Sequence, residues 1–558
     1  MLERPWLTSW PSKIPDSLEF PEISLGEVLR RSAAKARQQT AVWCQGTSLT
    51  YTELDALADR FGATLQSFGI VKGDRVAIYL PNLPQFVIAY YGALKVGAVV
   101  VTASPLYKER ELAHILVDSA ARVLICWDKL YPIAQTLSDK VRLEHVITTK
   151  ASDNFSEVLK ASKVLDAKST DCSGAWDMKL LLTKHTGQTK AVEIEVRKDL
   201  ALLQYSGGTT GAPKGAMLTH YNLLANAVQF AAWLYMNPGG EVHLSALPFF
   251  HIYGMTTAMN APIFTRSSMI LIPDARDINA ILQAIDTHKP TIFCGVPAMY
   301  IALINQPDIR KHDLRSIRVC VSGSSPLPVE VQRRFEELTG GRLVEGYGLS
   351  EASPVTHVNP LDDTSKNRPG SIGIPISDTQ AKIVDLETGE RDLPVGTPGE
   401  LVIRGPQVML GYWNNVAETR MTIRDGWLFT GDIATMDSDG YFRIVDRKKD
   451  MINISGLKVW PREVEEVLYE HPAVKEAAVV AVPDAMSGEA VKAFIVLKED
   501  YIGKVSSEEI SRFCKEKIAT YKAPKIIEFR ESLPKTPVGK ILRRELRAEH
   551  SKIPKPSK

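Results

Sequence analysis

YSGGTTGAPKGAMLTH, residues 205–220, decides how the rest of this chain is read. The apolar run LALLQY at 200–205 leads into it as a strand, and Thr219 reads as the cap of a helix that follows. Between them Gly207, Gly208 and Gly211 let backbone amides approach phosphate oxygens. The hydroxyls of Ser206, Thr209 and Thr210 lie alongside, and Lys214 supplies positive charge. A merely flexible surface loop has no need of that combination. A P-loop NTPase would place Ser or Thr directly after the final Gly-Lys pair, whereas Gly215 follows Lys214 here, so that architecture is excluded by spacing.

Working outward, Thr52 reads as the cap of a helix with Leu54, Leu57, Phe61, Leu65 and Phe68 on one face, Asp55 completing the box and Gly69 stopping it. The strand RVAIYL follows at 75–80. Short apolar runs then recur as ARVLICW (121–127), SMILIP (268–273), TIFCGVP (291–297) and IRVCVSG (317–323), separated by helix-length segments. Such runs suit parallel strands covered on both faces, which predicts an α/β fold. Residues 151–198 turn polar and read as a surface excursion. From Gly370 to Val445 the turns ETGE, TPGE, RDGW and DSDG predict antiparallel hairpins.

After Arg447 a smaller α+β domain is expected. It has a helix begun by Pro461 with Val464, Val467 and Leu468 inside, strands AAVVAV and KAFIVL, and a Ser506-capped helix carrying Ile510, Phe513 and Cys514. The predicted domains are 1–447 and 448–558, joined near Lys449 in DRKKD.

The bulk composition narrows the class. Across 558 residues, Lys and Arg number 67 against 65 Asp and Glu, a formal charge of +2 that offers no field for gripping nucleic acid. Six scattered cysteines show no zinc or disulfide spacing and read as reduced thiols of a cytoplasmic protein. The first residues hold no signal-peptide core. Phe86–Val101, interrupted by Gly92, Lys95 and Gly97, is too short to span a bilayer and reads as a buried helix then a buried strand. The basic tail Lys540–Lys558 leaves a peripheral contact with the inner membrane face open.

The 205–220 stretch resembles the signature of the acyl-adenylate-forming superfamily of AMP-dependent synthetases and ligases. The likeness continues in that family's order through LPFFHIYG (247–254), EGYGLSE (345–351), GWLFTGD (426–432), DRKKDMINISG (446–456) and LPKTPVGK (533–540). The texture of KVWPREVEE (458–466) and EGYGLSEASPVTH (345–357) is similar to bacterial and archaeal long-chain fatty-acid CoA ligases. The resemblance implies a large N-terminal α/β domain of stacked mixed sheets with a distorted β-barrel subdomain, and a small mobile C-terminal domain. It implies ATP-dependent conversion of a carboxylic acid, a medium- to long-chain fatty acid, to acyl-AMP, followed by transfer to coenzyme A.

The residue roles it implies are these. Lys540 bridges the carboxylate and the α-phosphate, Glu351 holds Mg²⁺ with help from Thr210, and His251 positions the acid. Ser206 to Gly211, Lys214, Ser324, Ser325, Glu345, Gly346, Tyr347, Gly348 and Ser350 contact ATP or AMP. Asp432 accepts the ribose hydroxyls and Arg447 contacts the nucleotide. Lys449 is the hinge; Gly456, Leu457 and Lys458 line the coenzyme A channel; Tyr253, Gly254, Met255 and Gly323 begin the acyl pocket. The chemistry fits, because two anionic reactants must be brought together by cations before a carboxylate gains a leaving group. An aryl or medium-chain acid CoA ligase, an enzyme loading a carrier protein in trans, and a homodimer remain open.

Overall fold

The computed structural model describes residues 4–137, 140–160, 168, 172–206, 213–454, 457–484, 487–536 and 541–551. Its first long helix, Tyr51–Ser67, begins two residues earlier than the sequence suggested. Thr50, not Thr52, is the cap: its hydroxyl accepts the Glu53 N–H at 3.2 Å, while the Glu53 carboxylate accepts the Thr50 N–H at 2.8 Å. Both threonines fit the cap pattern, but only Thr50 has a glutamate, long enough to reach back, three residues on. Asp55 serves the core instead. It and Asp59 receive the buried Lys95 ammonium at 2.5 and 2.8 Å, so the lysine that interrupts the 86–101 run is neutralised where it lies. Leu54, Leu57, Phe61 and Leu65 are fully buried, and Gly69 (φ 75°) ends the helix as expected.

The helix packs on Pro84–Lys95, which with the strand Val99–Thr102 bears out the buried helix and buried strand. A seven-stranded sheet runs Trp176–Asp177, His145–Thr149, Val123–Trp127, Arg75–Tyr79, Val99–Thr102, Leu200–Ser206, Lys214–Thr219. All neighbours are parallel except the last pair. The polar excursion at 151–198 is thus not wholly surface loop: Trp176–Asp177 adds the edge strand, and the helix Met178–Lys184 follows it.

A second sheet orders Val242–Ser245, Ser268–Leu271, Thr40–Cys44 and Thr47–Thr50, and a third orders Val319–Ser322, Arg342–Gly348, Val355–Val358 and Ile374–Pro375. TIFCGVP is not a regular strand. It bridges the two sheets at single positions, Ile292 to His243 and Val319, and Gly295 to Ser322. Gly295 faces the Tyr300 ring, which would lie 3.0 Å from any Cβ there, and the Pro297 that follows starts a helix.

The chain divides into two compact units. Among the described residues, one comprises those within 4–206, 213–380 and 403–428, the other those within 381–402 and 429–551. In the second, Trp427–Met436 and Phe442–Arg447 form the antiparallel hairpin predicted around DSDG. Another sheet there is built on the antiparallel pair Val474–Asp484 and Gly488–Leu497. The helices Pro461–Tyr469 and Ser507–Lys517 cover it with Val464, Leu468, Ile510 and Cys514, as read from the sequence. Among the described residues no helix is long and apolar enough to cross a membrane. All six cysteines lie among the described residues, buried and in no disulfide.

Three buried histidines tie stability to pH. Burial holds His220 to about 4 and His243 and His357 to about 3. Their unfolded pKa near 6.5 means that below it the unfolded chain binds protons the folded chain refuses, so stability falls as pH drops, by about 2 kcal/mol per histidine at pH 5. The thermal midpoint should therefore fall from pH 7 to 5, and His243→Gln should flatten that fall; an unchanged slope in the variant would refute the assignment.

Candidate active site

The glycine-rich loop joins two antiparallel strands, with Ser206 opposite Lys214 and Tyr205 opposite Gly215. The sequence led from loop directly to helix and missed the strand Lys214–Thr219. KGAMLT lacks clean alternation, with Gly215, Ala216, Leu218 and Thr219 all buried, and it is flanked by chain along both edges. One flank is the segment 409–413, whose Leu410 and Trp413 N–H groups donate to Met217 and Gly215 carbonyls at 3.0 and 2.8 Å. That segment delivers a residue the motifs had not singled out. Tyr412 donates its hydroxyl to Glu351 Oε1 at 2.7 Å, and the Lys214 ammonium sits 5.4 Å from its ring centroid. Lys214 also forms an ion pair with Glu418, again unforeseen. Burial, then the Glu351 charge, pushes the Tyr412 phenol far up, so it stays a donor. The candidate metal ligand and the candidate phosphate lysine therefore meet on either side of one tyrosine.

Glu351 is held by main chain as well as by Tyr412. Its carbonyl accepts the Met409 N–H at 2.8 Å. Two residues on, Ser353 donates its hydroxyl to the Gln407 carbonyl at 2.8 Å and accepts Thr256 Oγ1 on its own carbonyl at 2.6 Å; the Ser353–Pro354 bond is cis. The helix His220–Trp233, capped by Thr219 as predicted, then fixes Val355: Asn226 accepts its N–H at 2.9 Å and donates to its carbonyl at 2.8 Å.

Tyr347 lies in the strand Arg342–Gly348 opposite His357, their rings edge-on at 5.9 Å. It is partly exposed, as a shelf for a flat ligand must be. Glu345 is buried and accepts the Leu327 N–H at 3.3 Å. Gly346 and Gly348 answer to packing: a Cβ would lie 2.9 Å from Val321 Cγ1 at the first and 2.2 Å from the Pro354 carbonyl oxygen at the second. Ser350 opens the short turn that carries Glu351. Ser324, at φ 68°, and Ser325 are exposed just past the strand Val319–Ser322.

His251 caps the helix Ile252–Met255, its Nδ1 accepting the Tyr253 N–H at 3.2 Å, so a neutral ring carries its proton on Nε2. Tyr253 donates its hydroxyl to the Val321 carbonyl at 2.8 Å, and its ring stands 3.1 Å from where a Gly323 Cβ would be. Gly254 admits no side chain beside the Pro248 carbonyl, and Met255 is buried.

In the second unit, Asp432 and Arg447 are directly opposite across a hairpin, with Nε 3.3 Å from Oδ1. Asp432 is 8% exposed. Beside them Gly431 donates its N–H to Glu400 at 3.1 Å, and Lys448 pairs with the same carboxylate at 2.9 Å. Desolvation and the Arg447 charge lower the Lys449 ammonium to about 8, although its side chain as a whole is exposed. Leu457 and Lys458 are exposed on the strand Leu457–Val459. Gly207, Gly208, Thr209, Thr210, Gly211, Gly456 and Lys540 lie outside the described residues.

The chain resembles known proteins along nearly its whole length. Residues 29–413 match the AMP-binding enzyme family and 463–540 the AMP-binding enzyme C-terminal domain. A long-chain-fatty-acid--CoA ligase of Bacillus subtilis (strain 168) is 46% identical over 98% of both chains, and one of Escherichia coli O157:H7 is 40% identical over the same shares. Among solved structures, the anthranilate CoA ligase AuaEII in complex with anthranoyl-AMP superposes with TM-score 0.83 at 30% identity, covering 96% of this chain and 98% of that one. ATP-bound MatB from Rhodopseudomonas palustris gives 0.82 at 28%, covering 96% and 100%.

Tyr412→Phe removes one donor from Glu351 without opening a cavity. A hydrogen bond to a charged group contributes about 1.5 kcal/mol or more to the folded state, so the thermal midpoint should fall by only about a degree or two in a chain of this size, while misorientation of Glu351 cuts turnover about tenfold. Wild-type turnover would show that Tyr412 does not orient Glu351.

Proposed function

The chain belongs to the AMP-binding enzyme family, and from that premise we propose that it activates a long-chain fatty acid with ATP, releasing pyrophosphate, and passes the acyl group from the adenylate to coenzyme A. The observation that carries this reading is full-length likeness: 46% identity to a long-chain-fatty-acid--CoA ligase over 98% of each chain. The pairing of Lys214 and Glu351 about Tyr412 supports it, since a triphosphate and its counter-ion need a cation and a hard oxygen ligand side by side.

In this reading Lys214 exchanges Glu418 for phosphate oxygens, which replaces one anionic partner by another at little desolvation cost. Magnesium fits Glu351. No group of three or more His, Cys, Asp or Glu gathers among the described residues, and Mg²⁺ commonly takes one or two carboxylates and fills its shell with phosphates and water. It would supply charge neutralisation at the phosphates. Tyr347 receives the adenine, and Ser324, Ser325 and the Glu345–Gly348 strand border it. Asp432 takes the ribose hydroxyls, shifting its share of Arg447.

His251, with Nδ1 engaged by the Tyr253 N–H, presents Nε2–H to the acid and orients its carboxylate. Lys540 brings positive charge to the carboxylate and α-phosphate, which lowers the barrier where two anions meet. Tyr253, Gly254, Met255 and Gly323 open the acyl channel. For the thiol step the adenylate is already a good leaving group, so guiding the coenzyme A thiol along Gly456, Leu457 and Lys458 suffices. The small domain turns about Lys449 between the two steps.

An aryl-acid reading has one observation in its favour, the superposition on an anthranilate CoA ligase. A pyrophosphate-release screen over fatty acids of graded length and several aromatic acids separates the two: activity should rise toward long chains, and a maximum on aromatic acids overturns the assignment. Lys540→Ala should cut adenylation by roughly a hundredfold or more while sparing thioester formation from supplied acyl adenylate. Near-normal pyrophosphate exchange in that variant would remove Lys540 from the mechanism.

A further inference from the structure

Three buried carboxylates converge on one guanidinium around the DRKKD segment. Asp446, Asp450 and Glu465 are 3%, 6% and 8% exposed. Arg543, which opens the helix Arg543–Ser551, places Nη2 2.5 Å from Glu465 and Nη1 3.5 Å from Asp450 and 3.9 Å from Asp446. Arg547, one turn later, pairs with Asp450.

Asp446 and Glu465 are also anchored by main-chain N–H groups, and Asp450 by Arg547. Asp446 accepts the Arg447 and Arg462 N–H groups, each at 2.7 Å, and Glu465 accepts the Val479 N–H at 2.7 Å. Arg543 is therefore the shared element. Asp446 precedes Lys449 in the chain and Asp450 follows it, so one side chain spans the hinge position. Arg543 also lies three residues after Lys540, and backbone pairing of Lys535 with Ile541 ties the ends of the segment that contains Lys540. Removing the guanidinium takes away the counter-charge that Asp446 and Glu465 share, while Asp450 keeps Arg547, and carboxylates left buried in that way are strongly unfavourable.

We propose that Arg543 is a positioning residue for adenylation: its simultaneous hold on Asp446 and on Asp450 and Glu465 fixes the chain beside Lys540 relative to the hinge, and loss of the Asp446 contact accompanies rotation to the thioester-forming state. This rests on the roles of Lys540 and Lys449 proposed above.

The test compares Arg543→Gln, Arg543→Lys and Lys540→Ala in the full chain, measuring pyrophosphate exchange and, separately, thioester formation from supplied acyl adenylate. Arg543→Gln should lose about tenfold or more in exchange alone, and Arg543→Lys, which keeps the charge but cannot fork between carboxylates, about threefold. A purely structural arginine would depress both steps together. Equal loss in both steps, or wild-type exchange in Arg543→Lys, overturns the proposal. Should Lys540→Ala keep exchange, the reading of Lys540 fails; should it lose exchange while Arg543→Gln keeps it, only the tie fails.

Discussion

The placement of Glu351 depends on an amide stripe along one buried helix. His220–Trp233 is covered almost all round, yet it carries Asn222, Asn226 and Gln229 at helical spacing on a single face. Each spends its side-chain donor on a main-chain carbonyl: Asn222 on Pro406 at 2.8 Å, Asn226 on Val355 at 2.8 Å, Gln229 on Ser377 at 2.7 Å. Gln407, next to Pro406, donates in turn to Thr379. Pro406 and Ser377 lie outside the strands and Val355 begins one; an unpaired buried carbonyl costs about 1–3 kcal/mol, so the stripe supplies these groups with partners. The same helix starts directly after the strand that Lys214 begins. Lys214 and the turn that carries Glu351 are thus braced by consecutive pieces of chain.

A chain of net charge +2 has no overall field with which to draw a polyanion, and it does not need one. Its candidate ligand-binding charges already hold partners: Lys214 with Glu418, Glu351 with the Tyr412 hydroxyl, Asp432 with Arg447. Each group is oriented by an interaction whose geometry a ligand could take over. Such exchange is less costly than drawing a naked charge out of water, because part of the desolvation is spent on folding.

The sequence made legible whatever is local and periodic. The Thr219 cap, the Pro461 and Ser506 helix starts, the hairpin at DSDG and the buried 86–101 helix and strand all follow from residues within one turn of one another. It misread the places where distant chain decides. KGAMLT is a strand because residues 409–413 and 200–206 flank it, and TIFCGVP stays irregular because its neighbours meet it only at single positions. Tyr412 and Glu418 were invisible for the same reason: nothing in GYWNNVAET announces that it folds onto the strand after the glycine loop, some two hundred residues earlier. Thr50 against Thr52 was a different failure, a choice between overlapping local patterns that side-chain reach alone resolves.

The motif glycines show how shape and chemistry share one cause. Gly346 and Gly348 flank Tyr347, and at Gly348 a Cβ would fall 2.2 Å from the Pro354 carbonyl oxygen, a distance no side chain tolerates. That contact brings the Glu351 turn back against the Tyr347 strand, where Leu349 donates its N–H to the same Pro354 carbonyl at 3.1 Å. A larger residue would push turn and strand apart and carry Glu351 away from Tyr412. The glycines thus shape the site by permitting two backbones to approach closely. A pattern of residues in sequence can therefore mark a candidate site while some of its members set the distance between the others.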